Sequence, residues 1–150
     1  MKLPLLKKDY NKKRKHFSLQ DFAIKYESCC KQKQDFFIVS YTKEIEACLK
    51  ILKNEGFIQK YLIIKYKNRP IFLGIKPNYI RTSSIKVPFL KRIKVAASDL
   101  DYIGYKDINK YLYKFNSIKG LMILSTSKGV LSNDMALNLK IGGQILLYIE

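Results

Sequence analysis

The last thirty residues of this chain restrict its folding options more than any other stretch. An apolar run from Leu121 to Leu124 leads into Ser125-Thr126-Ser127-Lys128-Gly129-Val130. After a short interval in which Ser132 is placed to cap a helical turn, a second run follows as Ile141-Gly142-Gly143-Gln144-Ile145-Leu146-Leu147-Tyr148. Runs of this length, bounded by small and turn-forming residues, read as strands. The order is therefore strand, hydroxyl-rich loop, short helix, glycine pair, strand.

What surrounds this unit is strongly basic. The 150 residues carry 29 Lys and Arg against 12 Asp and Glu, a formal net charge of +17, and 47% are hydrophobic. The apolar fraction suffices for a buried core in one domain or two small ones, and the charge suits a polyanionic partner, nucleic acid first. An anionic membrane is the weaker choice, because no apolar run approaches the roughly 18 residues of a spanning helix and the basic residues are spread along the chain. Among the basic residues only Arg14, Arg69, Arg81 and Arg92 are arginines. Lysines are point charges, so phosphate contacts are favoured over bidentate reading of base edges. The accompanying frequency of isoleucine, tyrosine and asparagine is the bias of an AT-rich genome and points to an organellar or AT-rich origin.

Cys29, Cys30 and Cys48 are odd in number and lack CxxC spacing, and His16 is the only histidine. Neither a disulfide framework nor a zinc site is supported, and a reducing compartment is the simplest setting. Lys2, Lys7, Lys8 and Asp9 interrupt any secretory apolar core. The tail is neither rich in arginine nor free of acids, which argues against an organellar presequence. Residues 1–15 read as a basic arm, either ordering on RNA or serving only as a solvated tail.

Phe22, Tyr26 and Cys29/Cys30 recur at helical spacing behind a capping Ser18, which predicts a helix over 18–33. A strand is expected at Phe36 to Tyr41. A second helix, N-capped by Thr42 with Glu44 and Glu46 in its first turn, buries Ile45, Cys48, Leu49 and Leu52 and ends at a left-handed Gly56. Phe57 to Tyr66 and Pro70 to Ile75 read as strands joined through Lys67-Asn68-Arg69, Asn78 and Thr82-Ser83-Ser84 as loop, and Val87 to Val95 as one strand delayed or placed at an edge by Pro88. Ala96 to Asp99 is the expected boundary. Beyond it come a strand at Asp101 to Tyr105, a helix from Asp107, and strands at Gly120 to Ser125 and Gln144 to Ile149. The fold class is α+β with two small domains: a helix-and-antiparallel-sheet unit over 16–96 and a mostly β unit with short helices over 97–150.

Ser125, Thr126 and Ser127 offer hydroxyls that both donate and accept, the property needed to meet an RNA 2′-hydroxyl. Lys128 adds a phosphate contact, and Gly129 allows positive φ and close approach. Taken alone the segment reads more readily as an ordinary β-turn. It is not a nucleotide phosphate loop, since Lys128 precedes its glycine and the GxxxxGK[ST] order is missing. Catalysis has little support: Glu44/Glu46 is explained by helix-start electrostatics and Asp99/Asp101 by a solvated loop, while His16 has no visible partner.

The surrounding order decides the matter. The sequence STSKGV with the later Gly-Gly strand resembles the C-terminal signature of the bacterial-type small-subunit ribosomal protein eight family. Tyr105-Lys106 with Asp107 is similar to the Tyr-Lys pair that opens the family's second domain, and Leu52 to Ile58 resembles the exit of its second helix. The resemblance covers most of residues 18–149. It implies a non-enzymatic structural protein of the small ribosomal subunit, without cofactor, metal, membrane or small-molecule substrate. Such a protein would bind a helical element of the central domain of small-subunit rRNA, support its folding and touch neighbouring ribosomal proteins. The implied RNA-binding residues are Ser125, Thr126, Ser127, Lys128, Gly129, Gly142, Gly143, Tyr105 and Lys106, with Tyr105 stacking on an unpaired base or equally serving the core. The implied location is a ribosome, mitochondrial first, with plastid or bacterial cytoplasm as alternatives. A free-standing RNA-binding translational regulator is the runner-up. Two departures stand out: Ala97-Ser98-Asp99 replaces an Arg-Pro-Gly-like turn, and Gln144 replaces a glutamate, so any contact that needs a carboxylate there is lost or altered.

Overall fold

In a computed structural model the described residues are 18–82, 85–88, 93–95, 102–114 and 120–149. The basic arm, His16, Ser83-Ser84 and the boundary Ala96 to Asp99 lie outside them. Helix α1 covers residues 18–31 and buries Leu19, Phe22, Ala23, Tyr26, Cys29 and Cys30 along one face, as the three- and four-residue spacing demands. Ser18 is the first described residue and is itself helical. The exit is a left-handed turn at Lys33, φ 54°, closed by Gln34 N–H to Cys29 O at 2.9 Å and Lys33 N–H to Cys30 O at 3.3 Å. Strand β1 (Phe37–Ser40) runs on from it and turns Phe37 and Val39 inward. The Phe37 ring meets Phe22 at 6.0 Å and Tyr26 edge-on at 6.1 Å.

Helix α2 (Lys43–Asn54) forms as its sequence requires. The Thr42 hydroxyl accepts the Ile45 N–H at 3.1 Å, Glu44 and Glu46 occupy the first turn, and Ile45, Cys48, Leu49 and Leu52 are buried. Gly56 at φ 84° ends it, with Phe57 N–H bonded to Leu52 O at 2.9 Å. Each fully buried leucine or isoleucine here contributes about 1.5–3 kcal/mol.

Strands β2 (Ile58–Tyr66) and β3 (Arg69–Pro77) form a long hairpin, turned by Lys67 and Asn68 at φ 50° and 62°, and the sheet order is β1-β3-β2, all antiparallel. Two expectations fail next. Thr82 is not loop but the end of β4 (Tyr79–Thr82), which pairs with β5 (Ile85–Pro88) as a separate two-stranded ribbon. The expected single strand from Val87 to Val95 is two strands, β5 and β6 (Ile93–Val95). The second leaves its neighbours in sequence to pair with the last strand of the chain, Ile93 opposite Ile149.

The remaining elements are a 3₁₀ turn at Tyr105–Asp107, α3 (Ile108–Lys114), β7 (Met122–Thr126), β8 (Gly129–Ser132), α4 (Asn133–Leu139) and β9 (Gln144–Ile149). The strand expected at Asp101 to Tyr105 reduces to one bridge, Ile103 to Gly143. Ser132 caps α4 as expected, its hydroxyl accepting the Met135 N–H at 3.4 Å. The antiparallel sheet β6-β9-β7-β8 has apolar side chains on both faces. Leu121, Ile123, Leu147 and Ile149 join the α1 and α2 core, while Met122, Leu124 and Ile145 join Ile103, Ile108 and Ala136. A sheet covered on both sides explains why these strands read as unbroken apolar runs instead of alternating ones. Leu146 is the extra residue where the β7–β9 register shifts. Cys29, Cys30 and Cys48 are buried thiols outside any disulfide, and burial pushes Cys48 up to about 12.

Candidate nucleic-acid interface

The hydroxyl-rich segment is tighter than a loop. Ser125 and Thr126 belong to β7, Gly129 and Val130 to β8, and only Ser127 and Lys128 lie in the turn, with Thr126 paired to Gly129. Gly129 completes the reversal at φ 101°, a conformation that a side chain resists. The Thr126 hydroxyl is committed to the turn itself: it donates to Gly129 O at 2.7 Å and accepts the Lys128 N–H at 3.2 Å. Of the three hydroxyls, Thr126 braces the hairpin, Ser127 is exposed and Ser125 is half-buried, while Lys128 is exposed at the apex.

Behind the hairpin runs the glycine pair, and both glycines are buried. Neither has positive φ, so what they supply is room rather than conformational freedom. A Cβ on Gly142 would strike the Ile103 carbonyl oxygen and lie 2.9 Å from Gly104 Cα. On Gly143 it would strike the Ser125 carbonyl oxygen and lie 2.9 Å from Thr126 Cγ2. Two hydrogen bonds of 3.0 Å, Ile103 N–H to Gly143 O and Gly143 N–H to Ile103 O, close the seam. The pair therefore holds together two segments distant in sequence, the Ser125 hairpin on one side and the entry to Tyr105-Lys106 on the other.

Tyr105 is half-buried, and its ring packs against the cluster of Ile103, Ile108, Met122, Leu124, Ala136 and Ile145. The core role therefore takes part of the ring, and Lys106 beside it is exposed. Gln144 is exposed next to the seam, directly across from Ser125. Lys140, exposed at φ 54°, ends α4 just before the glycines. The sequence reading missed Asn133. It is 4% exposed, its Oδ1 accepts the Met122 N–H at 3.1 Å, and its Nδ2 donates to Gly120 O at 2.9 Å. By tying the start of α4 to the start of β7 it fixes the base of the hairpin. Its only sequence signal is a polar residue following a cap, which does not distinguish it from a solvated one.

The assembled surface presents hydroxyls, backbone and lysines on a rigid hairpin, a set suited to binding and not to bond-making. Among the described residues no three His, Cys, Asp or Glu side chains cluster to hold a metal, and no helix is long and apolar enough to cross a membrane. Comparison with known sequences places the chain among the proteins of the ribosome. The family model described as Ribosomal protein S8 matches residues 18–149. Similar curated proteins include small ribosomal subunit protein uS8 of Nitratiruptor sp., 35% identical over 71% of this chain and 77% of that protein. Another is uS8 of Nautilia profundicola, 29% identical over 74% and 80%, and a third is uS8c of Cyanidium caldarium, 34% identical over 67% and 73%. The chain belongs to the ribosomal protein S8 family. This is a family of structural proteins, not enzymes.

Proposed function

We propose that this protein is a structural constituent of the small ribosomal subunit that binds a helical element of the central domain of small-subunit rRNA and supports its folding and assembly. The observation that carries this reading is the Ser125–Gly129 hairpin: its apex is exposed and its base is pinned by a buried glycine seam, in a chain that matches the family over residues 18–149. Ser125 and Ser127 meet ribose hydroxyls and Lys128 a phosphate. Thr126, Gly129, Gly142 and Gly143 hold those groups in place, and Lys106 extends the charged surface beside the half-buried Tyr105. Residues 97–150 act as the RNA-docking unit, 16–96 as the supporting α+β unit and 1–15 as a basic arm. Dispersed lysines neutralise further phosphates, and neighbouring small-subunit proteins are the other partners.

The location we propose is an organellar ribosome, mitochondrial first, on the lysine, isoleucine and asparagine bias of the chain. The similar proteins named above are bacterial, with one of plastid type, so a plastid or bacterial cytoplasm is the alternative.

Co-sedimentation tests the reading: the native protein is expected in gradient-purified small subunits. Finding it only in free fractions, still bound to RNA, would replace the ribosomal role with that of a translational regulator. At the hairpin, Ser125→Ala with Ser127→Ala is expected to weaken binding to the cognate RNA helix by about 1–3 kcal/mol. Unchanged affinity at moderate salt would remove these hydroxyls from the interface.

A further inference from the structure

We propose that the tip of the β2–β3 hairpin, Lys65 to Arg69, is a second RNA-binding site, one that takes a single-stranded segment with Tyr66 stacked on an unpaired base and Lys65, Lys67 and Arg69 on phosphates. The proposal rests on the RNA-binding reading above but concerns a different surface.

Four observations carry it. The tip is free-standing: β1 covers β3 from Phe72 to Ile75, the Tyr41 N–H extends that cover by one bond of 2.9 Å to Ile71 O, and every residue from 64 to 72 is exposed. Beyond that cover a two-stranded ribbon projects about 7–10 Å, at the usual rise of about 3.3 Å per residue. The tip is also uncompensated. No Asp or Glu occurs between Glu55 and Asp99, while Lys and Arg recur throughout that stretch. Two ion pairs between described residues, Lys25–Asp21 and Lys31–Glu27, lie away from the tip.

The third observation is the aromatic ring. Tyr66 is 64% exposed, and the Lys67 ammonium lies 5.5 Å from its ring centroid, so charge and stacking surface are presented together. Tyr66 pairs directly with Arg69, which puts the guanidinium on the same face of the ribbon as the ring. Finally, the turn is rigid. Lys67 and Asn68 both adopt the left-handed conformation of a two-residue hairpin turn, whose twist matches the flanking strands, so little ordering remains for binding to impose.

The form of the tip selects the form of the RNA. The major groove of an A-form helix is too narrow for a ribbon, whereas an unpaired base can splay out onto an exposed ring and its flanking phosphates onto the cations.

The test uses the full-length protein and two probes: a single-stranded oligouridylate, and small-subunit rRNA from gradient-purified bacterial subunits. Removing the charges with Lys65→Gln, Lys67→Gln and Arg69→Gln is expected to make the dependence of log Kobs on log salt shallower by about 2 on oligouridylate, from about 0.7 per phosphate. Tyr66→Ala is expected to lower oligouridylate affinity by about 5- to 150-fold at an unchanged slope. The Ser125→Ala, Ser127→Ala variant is expected to bind oligouridylate as the wild type does and to lose affinity on rRNA, which separates the two surfaces. A control lacking Lys31, Lys43 and Lys50 should leave the oligouridylate slope near that of the wild type. An unchanged slope in the tip variant, or an equal change in the control, overturns the proposal. So does a tip variant that binds RNA normally yet fails to enter small subunits, because that result puts a protein at the tip. A wild type that binds neither RNA removes the RNA-binding reading and this one with it.

Discussion

Replacing Gly143 with alanine tests whether the glycine seam, and not the hairpin's own turn, holds the proposed docking surface together. The new methyl would meet backbone on one side, the Ser125 carbonyl oxygen and its carbon at 3.0 Å, and Thr126 Cγ2 at 2.9 Å on the other. Backbone cannot rotate out of the way as the end of a long side chain can, so β7 and β9 must separate. Overpacking of this kind costs about 1–3 kcal/mol. The two 3.0 Å hydrogen bonds between Ile103 and Gly143 are strained or lost with it, at about 0.5–1.5 kcal/mol each. The total is about 2–6 kcal/mol, which lowers Tm by about 4–24 °C for a domain of this size. Urea and thermal unfolding followed by circular dichroism would measure it. Gly104→Ala is the internal control, since a Cβ there has nothing within 4 Å and the backbone is not at positive φ. It should be neutral within about 0.5 kcal/mol. The reasoning fails if Gly143→Ala unfolds with the wild type, or if Gly104→Ala costs as much.

Asn133→Ala leaves the Met122 N–H buried without its acceptor and should cost about 1–3 kcal/mol in urea unfolding; a loss below about 0.5 kcal/mol would mean that water replaces the amide. Cys48 should be inert to thiol reagents at pH 8 until the chain unfolds. Its folded pKa of about 12 lies above the ordinary value of 9.0, so its contribution is complete below pH 9 and is lost as pH rises toward 12, where the unfolded thiol ionises and the folded one does not. Stability that stays flat from pH 9 to 11 would contradict this. Deleting residues 1–15 should make the salt dependence of RNA binding shallower while leaving Tm unchanged; an identical slope would mark the arm as a solvated tail.

Where a local pattern and its tertiary use coincide, the sequence was a reliable guide. Thr42 with Ile45, Cys48, Leu49 and Leu52 specifies α2 within a single window, and Gly56 marks its end. Gln144 to Ile149 is likewise the strand its apolar run suggests. The failures share a cause. Ile93 finds its partner in Ile149 at the far end of the chain, and nothing near residue 93 signals that. Tyr102 to Tyr105 has strand-like composition but only one residue, Ile103, opposite a partner backbone. Thr82, read as loop from its hydroxyl neighbours, forms a local ribbon with Ile85 that needs no third strand.

The candidate surface divides in the same way. The chemistry of Ser125, Ser127 and Lys128 was legible because residue type determines it. That Gly142 and Gly143 are buried positioning residues, that the Thr126 hydroxyl is spent on its own turn, and that Asn133 anchors the base were not, because each depends on what the fold brings alongside.

The most direct test is a cryo-electron microscopy map of gradient-purified small subunits that contain this protein. The account predicts Ser125, Ser127 and Lys128 within hydrogen-bonding distance of rRNA riboses and phosphates, with Gly142 and Gly143 beneath them and out of contact with RNA. A 125–129 hairpin that faces solvent or another protein, with RNA bound elsewhere on the chain, would contradict it.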